Sequence, residues 1–428
     1  MRSMRSWTNS CPDKMRMRIL LLFIGSICGC SLLAQADLQQ RYPFLKLEAN
    51  VLQFPSGQEK MSAFFDRLEE LSFSGKGQLN VLHIGGSHVQ AGTLSSAMRQ
   101  GMQQLHPGIA GSRGFFFPMR LAGTNQPSNF SVQANGQWEG FRCSVSSHSA
   151  QWGVAGIAAE TRDADARIDI SAFSEDTLRC AFRRIRIFHV LGSGHFRPVV
   201  RDSSHLPDSS FTHPHGYTEF IFSEPRDRFS FELTGDSTAE RFVFQGIQYL
   251  EDVPGLSYHA IGVNGASTQS YLRCADLPDQ LSALSADLVI LGIGINDAYG
   301  PEDSFDADAF GRRYDSLLNF FEAVNPDVVF VFMSNNDSYY KRRYPNRNAL
   351  KVQQVMKRLA KERRGAYWDL TSLMGGLGSV DVWKEAGLAK KDRIHFTRAG
   401  YQLQAQLFMH AFQQEWIQQL RSKSSRRP

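Results

Sequence analysis

Four short motifs rich in glycine and polar residues follow one another along the chain, and their order restricts the fold more than any other feature. Three of them come directly after apolar runs that predict buried strands, and the fourth comes just before a predicted helix. In chain order they are Gly85-Gly86-Ser87-His88, Gly262-Val263-Asn264-Gly265-Ala266-Ser267, Gly294-Ile295-Asn296-Asp297 and Asp392-Arg393-Ile394-His395. Functional groups of open parallel sheets collect at the carboxyl ends of the strands, so this order predicts one shared site.

Five apolar runs predict strands, and segments with apolar residues at three- and four-residue spacing predict helices between them. The strands are predicted at 79–84, 258–261, 288–293, 328–333 and 366–370, and a last helix at about 398–420. Strands that alternate with helices are typical of a parallel sheet with helices on both faces. We therefore predict an α/β fold with three α/β/α layers and a parallel five-stranded sheet.

Between residues 121 and 250 the sequence changes to short alternating runs separated by Gly, Pro, Asp and Ser clusters. This pattern is typical of a β-sandwich. We therefore predict that one sheet domain is formed by residues 37–120 and 251–420, with a β-sandwich of residues 121–250 inserted after its first strand–helix unit.

The chain has a net charge of +5, and its excess of positive charge comes from the two ends. Residues 1–36 contain five basic residues and one acidic residue, and residues 421–428, predicted as a basic tail, contain four basic residues. The part between the two ends is therefore slightly acidic, and a nucleic-acid partner is not expected.

Residues 1–36 have the pattern of an export signal. Three basic residues precede the apolar stretch Ile19–Ile27, and Ala34-Gln35-Ala36 supplies a cleavage site of small residues. The apolar stretch is too short to span a membrane. We expect an exported protein, periplasmic or extracellular. The alternative interpretation is lipid attachment at Cys30, which would give an outer-membrane lipoprotein.

Three cysteines remain after cleavage at Ala36, namely Cys143, Cys180 and Cys274. An odd number cannot pair completely within one chain. A disulfide between Cys143 and Cys180 and a set of buried thiols both remain open. No cysteine–histidine spacing indicates a zinc site.

The four motifs supply the residue types of nucleophilic catalysis. A serine hydroxyl such as that of Ser87 needs a base to take its proton, and an Asp-x-x-His pair places the carboxylate of Asp392 beside the imidazole of His395. Asn296 and Gly265 can donate N–H groups to a developing oxyanion. Each residue alone also fits a turn, a helix cap or a surface loop. Their joint occurrence in this order favours the catalytic interpretation.

On these residues the chain resembles the SGNH, or GDSL-like, hydrolases. The resemblance covers residues 79–119 and 256–412 and implies a flavodoxin-like sheet. It implies Ser87 as nucleophile, His395 as base and Asp392 as its orienting partner, with an oxyanion hole formed by Ser87, Gly265 and Asn296. One departure is that Gly86 stands where the family motif Gly-Asp-Ser has aspartate. His88 is expected to line the pocket or to be structural.

The position of the inserted sandwich is similar to that in bacterial peptidoglycan O-acetylesterases, where such a domain resembles a carbohydrate-binding module. The resemblance implies an exported, monomeric serine esterase without metal or cofactor that removes acetyl groups from a carbohydrate, foremost peptidoglycan. The alternatives are an esterase of xylan-type glycans, a lipase or acyltransferase, and a non-catalytic glycan-binding protein. Trp138, Trp152 and Phe196 are candidates for stacking on sugar rings, with a place in the core as the alternative. The run Lys341–Tyr344 is predicted on a loop at the carboxyl edge of the sheet, as a substrate rim.

Overall fold

The apolar runs of the sequence form strands that belong to one central sheet and to the sheets of an insert. The structure is a computed structural model and describes residues 36–127, 129–172, 181–201 and 206–426. The strands are, in chain order, β1 (Leu52–Gln53), β2 (Gln78–Gly85), β3 (Ala110–Ser112), β4 (Gly114–Phe116), β5 (Phe130–Ala134), β6 (Glu139–Arg142), β7 (Ile157–Thr161), β8 (Arg167–Ala172), β9 (Phe182–His189), β10 (Arg197–Val199), β11 (Ser209–His213), β12 (Tyr217–Arg226), β13 (Arg228–Thr234), β14 (Phe242–Leu250), β15 (Gly255–Gly262), β16 (Leu288–Gly292), β17 (Val329–Met333), β18 (Tyr339–Tyr340), β19 (Tyr344–Pro345) and β20 (Ala366–Trp368).

Helices connect the strands of the central sheet. They are α1 (Glu59–Ser74), α2 (Ser87–Gln90), α3 (Thr93–Gln103), α4 (Thr268–Tyr271), α5 (Leu277–Leu284), α6 (Ala307–Val324), α7 (Asn348–Glu362), α8 (Leu370–Met374), α9 (Ser379–Glu385) and α10 (Arg398–Arg426), with 3-10 turns at Leu47–Ala49 and Met119–Ala122. Among these helices and turns, none is long and apolar enough to cross a membrane.

The central sheet has the strand order β1-β20-β17-β16-β2-β15-β3. The five predicted strands are its middle members and pair in parallel, with β2 between β15 and β16. This confirms the predicted fold class. Two edge strands were not predicted: β3 pairs in parallel with β15, and β1 pairs antiparallel with β20. They are three and two residues long, which is too short for a recognisable apolar run.

Helices cover both faces of this sheet, which gives the three layers. Leu288 and Ile290 of β16 pack in one apolar cluster with α1, α3 and α10, whereas Val289 and Leu291 pack in the other with α5, α6 and α7. Alternate residues of a buried parallel strand face opposite layers, so an uninterrupted apolar run is what such a strand requires.

The last helix extends beyond its predicted end. It was predicted to stop at about Leu420, before a basic tail, but α10 continues to Arg426. Lys423 lies on this additional stretch and contacts Asp66 at 2.7 Å and Glu69 at 2.6 Å, both on α1. The additional turns of α10 are therefore accompanied by ion pairs with α1. Sequence periodicity does not reveal such pairs.

The insert consists of two antiparallel sheets that pack against each other. One has the order β11-β12-β9-β14-β7-β6, with β4 also paired to β14, and the other has the order β10-β13-β8-β5. Phe231 of the smaller sheet lies 6.3 Å from Phe244 of the larger one, between ring centroids. The strand β4 lies before residue 121, where the insert was predicted to begin. Gly114, with φ +71°, marks the place where the chain passes from the central sheet into the insert.

The aromatic residues that were candidates for sugar stacking lie inside the insert. Trp152 and Phe196 are buried, with 3% and 8% of their surfaces exposed. Trp138 is half-buried and packs against the core, with its ring 6.4 Å from Phe242. These residues are therefore parts of the packing, which was the alternative interpretation.

Several predictions concern residues outside the described ranges. They include the export signal up to residue 35, the lipid site at Cys30, and Cys180. Within the described ranges, Cys143 and Cys274 are buried free thiols.

Candidate active site

Three neighbouring strands bring the first three motifs to one edge of the central sheet. β2 pairs on one side with β15, where Gly85 lies opposite Gly262, and on the other side with β16, where Gly85 lies opposite Gly292. Ser87, Gly265 and Asn296 follow these strand ends within a few residues. Parallel pairing therefore assembles side chains that are up to about two hundred residues apart in sequence.

A chain of hydrogen bonds joins the serine to the Asp-x-x-His motif. The Oγ of Ser87 lies 2.7 Å from Nε2 of His395, and Nδ1 of the same ring lies 2.9 Å from Oδ2 of Asp392. With the ring proton on Nδ1, the imidazole donates to the carboxylate and accepts from the hydroxyl. This is the arrangement in which a base can take the proton of a serine nucleophile.

The backbone fixes Asp392 beside the imidazole. Its Oδ1 accepts hydrogen bonds from the N–H groups of Ile394 and His395, each at 2.9 Å. Burial raises the pKa of Asp392, but the hydrogen bonds from His395 and Ile394 outweigh this, and the pKa lies below its ordinary value. The carboxylate is therefore charged at neutral pH and stabilises the imidazolium that forms when His395 takes a proton.

The loop that holds the imidazole is tied down from two sides. Arg393 has φ +58°, and its Nε donates to Asp381 at 2.7 Å. Its carbonyl accepts from the N–H of Tyr339 at 3.0 Å. On the other side, Nδ2 of Asn336 donates to the carbonyl of Ile394 at 2.9 Å. These tethers position His395, and the sequence analysis did not reveal them.

Asn336 belongs to a buried loop after β17 that also contains Asp337. The carboxylate of Asp337 accepts from the N–H of Val380, at the beginning of α9, at 2.9 Å. Burial raises the pKa of Asp337 to about 6. This loop connects the end of β17 with the helix that carries Asp381, and so stiffens the support of His395.

Asn296 points at the turn that precedes the serine. Its Nδ2 donates to the carbonyl of Ala266 at 2.9 Å, and an amide nitrogen carries a second N–H for another acceptor. A Cβ placed on Gly86 would lie 3.1 Å from this Nδ2. An aspartate at position 86, as in the family motif, would therefore crowd the side chain of Asn296. This steric conflict explains why a glycine stands at position 86 here.

Gly265 lies in the second motif with φ +80°, a conformation that disfavours residues with a Cβ. The preceding residue is held by Gln90 of α2, whose Oε1 accepts from the N–H of Asn264 at 2.5 Å. The hydroxyl of Ser144, in the insert, donates to the carbonyl of Asn264 at 2.7 Å. The glycine predicted as an oxyanion donor is thus fixed by α2 and by the insert.

Asp297 connects the second and third motifs, a role that the sequence did not suggest. Its side chain is only 1% exposed and accepts from the N–H and from the hydroxyl of Thr268, the latter at 2.7 Å. Burial raises its pKa, although the bonds from Thr268 and the charge of Arg313 oppose this. The contact fixes the turn with Gly265 relative to the turn with Asn296.

Arg273 connects the sheet domain to the insert and was also missed. Its guanidinium donates to the carbonyls of Cys143, Val145 and His148, at 2.7, 2.9 and 2.5 Å. It also lies 4.8 Å from the ring centroid of Trp152. This single side chain shapes the loop of residues 143–148, which contacts the second motif through Ser144.

His88 is enclosed next to the imidazole of His395. Its Nδ1 lies 2.9 Å from the hydroxyl of Tyr401, and its ring centroid lies 5.2 Å from that of His395. Burial, together with the nearby His395, lowers the pKa of His88 to about 3. His88 is therefore neutral and acts as a packing surface for His395, in line with the structural role expected for it.

A comparison with protein families finds a match for part of the chain. The model of the GDSL-like Lipase/Acylhydrolase family matches residues 233–403. This stretch contains Gly265, Asn296 and His395 in their motifs. The chain contains a GDSL-like hydrolase domain. Ser87 lies outside the stretch matched to this GDSL-like domain, because the insert separates it in sequence, and it joins the site through strand pairing.

One solved structure shares the fold over most of the chain, and others match a smaller part of it. A peptidoglycan O-acetylesterase structure matches with a TM-score of 0.70 and 20% identity, over 86% of this chain and 99% of its own. An acetylxylan esterase from Geobacillus stearothermophilus matches with a TM-score of 0.30 and 22% identity, over 38% of this chain and 75% of its own. A lipase/acylhydrolase from Enterococcus faecalis matches with a TM-score of 0.30 and 16% identity, over 38% of this chain and 77% of its own. No curated protein matches the chain by sequence.

Proposed function

We propose that the protein is an exported serine esterase that removes O-acetyl groups from a carbohydrate, foremost peptidoglycan. The observation on which this rests is the continuous chain of hydrogen bonds from Ser87 through His395 to Asp392. It lies at the carboxyl edge of a GDSL-like domain, beside two groups suited to bind an oxyanion, Gly265 and Asn296.

In the first half of the proposed reaction, His395 Nε2 takes the proton of Ser87 as Oγ attacks the acetyl carbonyl carbon. A tetrahedral intermediate forms, and its oxyanion accepts hydrogen bonds from the N–H groups of Ser87 and Gly265 and from the amide of Asn296. The intermediate collapses, the C–O bond to the sugar breaks, and His395 gives its proton to the leaving sugar oxygen.

In the second half, water attacks the acetyl group on Ser87. His395 takes a proton from this water, and the second tetrahedral intermediate releases acetate as the proton returns to the Oγ of Ser87. Throughout, Asp392 keeps the imidazole in the tautomer with the proton on Nδ1. No cofactor enters these steps.

Two features support peptidoglycan as the substrate. The likeness to the peptidoglycan O-acetylesterase structure extends over 86% of this chain, so that it includes more than the sheet domain. The N-terminal pattern of residues 1–36 favours export. The alternative form of this proposal is an exported protein with a lipid attached at Cys30. Exported enzymes meet the cell wall, where this substrate lies.

The test is acetate release from O-acetylated peptidoglycan, from acetylated xylan and from a simple aryl acetate. The purified protein is compared with Ser87→Ala and with Ser316→Ala, which removes an exposed hydroxyl on α6 that only contacts its own helix. We expect release from peptidoglycan by the unchanged protein and by Ser316→Ala, and a loss of about 10⁴-fold or more in Ser87→Ala.

Other outcomes would redirect the proposal. Release from xylan alone would assign the enzyme to xylan-type glycans, and transfer of the acetyl group to an added sugar would make it an acyltransferase. Hydrolysis of long acyl esters alone would make it a lipase. Glycan binding that survives Ser87→Ala, without release of acetate from any of the three substrates, would contradict an esterase and favour a glycan-binding protein.

A further inference from the structure

Three tyrosines form an exposed cluster near the active site. The hairpin β18–β19 carries Tyr340 and Tyr344, whose ring centroids are 5.8 Å apart, and the ring of Tyr299 lies 5.1 Å from that of Tyr340. Tyr299 and Tyr344 are 39% and 38% exposed. We call residues 339–345 together with Tyr299 the tyrosine hairpin. Large aromatic side chains exposed as a group are uncommon and indicate a binding surface.

The tyrosine hairpin is attached to both sides of the catalytic edge. Tyr299 follows Asn296 by three residues, and its hydroxyl accepts from the N–H of Lys341 at 3.1 Å. Arg393, two residues before His395, donates to the carbonyl of Arg342 at 2.9 Å. Two to three residues span at most about 11 Å, so the hairpin borders the place where a substrate would sit.

The turn of the hairpin has an unfavourable backbone for its sequence. Lys341 and Arg342 have φ +49° and +60°, and the N–H of Arg343 donates to the carbonyl of Tyr340 at 3.0 Å. Two-residue turns with both central φ angles positive strongly prefer Asn-Gly. Strained positions of this kind concentrate at functional sites. Here the strain places two long cationic side chains at the tip of the hairpin.

The cationic side chains of the turn have no acidic partner among the described residues. Within the described part of the chain, no ion pair joins Lys341, Arg342 or Arg343 to a carboxylate. The nearby Glu302 is used by Arg347, and Asp303 is used by Lys351. Lys341 instead lies over the ring of Tyr340, with Nζ 5.2 Å from the centroid. Three exposed cations are therefore available to an anionic ligand.

We propose that the tyrosine hairpin is a subsite for a saccharide that bears carboxylates next to the acetylated sugar. The tyrosine faces stack on the rings, and Lys341, Arg342 and Arg343 pair with the carboxylates. Peptidoglycan has this chemistry, because stem peptides attached to its sugars end in carboxylates, whereas acetylated xylo-oligosaccharides are largely neutral. The inference rests on the proposed function and defines its substrate more narrowly.

The first test removes the charges and relaxes the turn at the same time. Lys341→Asn with Arg342→Gly installs the residues that the turn prefers, so the melting temperature should rise or stay the same. The measurement is the Kd of soluble O-acetylated peptidoglycan fragments in the Ser87→Ala background, which prevents turnover. Fragments with free carboxylates are compared with fragments whose carboxylates have been amidated.

We expect the protein with the unchanged hairpin to bind the free-carboxylate fragments about tenfold more tightly than the amidated ones, and this preference to disappear in the variant. The matched control is Lys76→Asn with Arg364→Gly, at the opposite edge of the sheet. This variant also removes two positive charges, and it places glycine at a position with a positive φ angle, that of Arg364. The control should keep the preference. The proposal is overturned if the hairpin variant prefers the free-carboxylate fragments as strongly as the unchanged hairpin does. It is also overturned if the protein with the unchanged hairpin shows no preference between the two kinds of fragment.

The second test concerns the rings. Tyr344→Ala should weaken binding of both kinds of fragment about five- to tenfold, and Tyr344→Phe should leave it nearly unchanged, since stacking needs the ring and not the hydroxyl. Equal binding by Tyr344→Ala and Tyr344→Phe would overturn the stacking role. Failure of these binding tests is separate from failure of the proposed function, which is judged by acetate release and its loss in Ser87→Ala.

Discussion

The insert and the sheet domain differ in where they place the aromatic residues considered for sugar stacking. In the insert, rings such as Trp152 and Phe231 fill the interior, with 3% and 1% exposed. In the sheet domain, Tyr299 and Tyr344 remain exposed beside the catalytic edge. The sequence offered Trp138, Trp152 and Phe196 of the insert as candidates for sugar stacking, with a place in the core as the alternative, because residue type alone does not tell which rings reach the surface.

The difference indicates a division of tasks. The sheet domain holds the reacting groups and the tyrosine hairpin, whereas the insert supplies a wall. That wall is the loop of residues 143–148, shaped by Arg273 and in contact with the second motif through Ser144. The following changes test this division, and the strongest loss of activity is expected for the first of them.

The replacement Asp392→Asn should lower kcat on an aryl acetate by about 10⁴-fold. An amide at this position can donate to Nδ1 of His395 and so favours the tautomer that cannot accept the proton of Ser87. Its matched change in the insert is Asp236→Asn, which alters a carboxylate that accepts only from a surface turn. The second variant should match the unchanged protein, and similar losses in both would contradict the division of tasks.

The replacement Arg273→Ala should lower kcat/KM about tenfold and reduce stability by roughly 2–4 kcal/mol, because three carbonyls lose a charged donor. The loop of residues 143–148 would then no longer support the turn with Gly265. Kinetics and thermal unfolding measure the two effects, with Arg273→Lys as the milder variant. A large loss of stability with unchanged kinetics would mean that the insert is not a wall of the site.

The replacement Gly86→Ala should lower kcat about tenfold, equal to ~1.4 kcal/mol of activation free energy. The added Cβ would lie 3.1 Å from Nδ2 of Asn296 and displace it from the oxyanion position. KM should change little, since the amide acts on the transition state. A variant as fast as the unchanged protein would show that Asn296 tolerates a side chain at position 86.

The replacement Phe211→Ala should have the smallest effect. Phe211 is an exposed ring on the edge strand β11 of the insert, with 45% of its surface exposed. If recognition belongs to the sheet domain, KM for peptidoglycan fragments should change by less than about twofold, well below the effect of a lost anchor residue. A several-fold rise in KM would show that the insert also binds the glycan.

Much of the fold was predictable because it depends on local patterns. The five central strands follow from apolar runs that must be buried on both faces, as Leu288–Leu291 show. The edge strands β1 and β3 were missed, since two or three residues carry no such pattern. The extension of α10 to Arg426 was missed because Lys423 pairs with residues of α1 that lie far away in sequence.

The residues of the candidate site also fall into those that the sequence predicted and those that only the structure revealed. Ser87, Gly265, Asn296, Asp392 and His395 were selected from motifs, and the structure places Ser87, Asp392 and His395 in hydrogen-bond contact. Their supports were not visible, because Asp297, Asn336 and Arg273 act through contacts across the fold. In the sequence, Gly86 is only a departure from the family motif. The structure explains it, because a Cβ at this position would lie close to Nδ2 of Asn296.

The strand–helix alternation, the order of the motifs and the residue types available for chemistry can be read from the sequence, since they depend on local periodicity and on the nature of each side chain. The folded structure adds which groups meet, which aromatic rings are exposed, and how the cations already expected at the sheet edge combine with three tyrosines in one hairpin. These properties depend on strand pairing and packing between distant segments, and a hydrogen bond such as that between Ser87 and His395 exists only once those segments have come together.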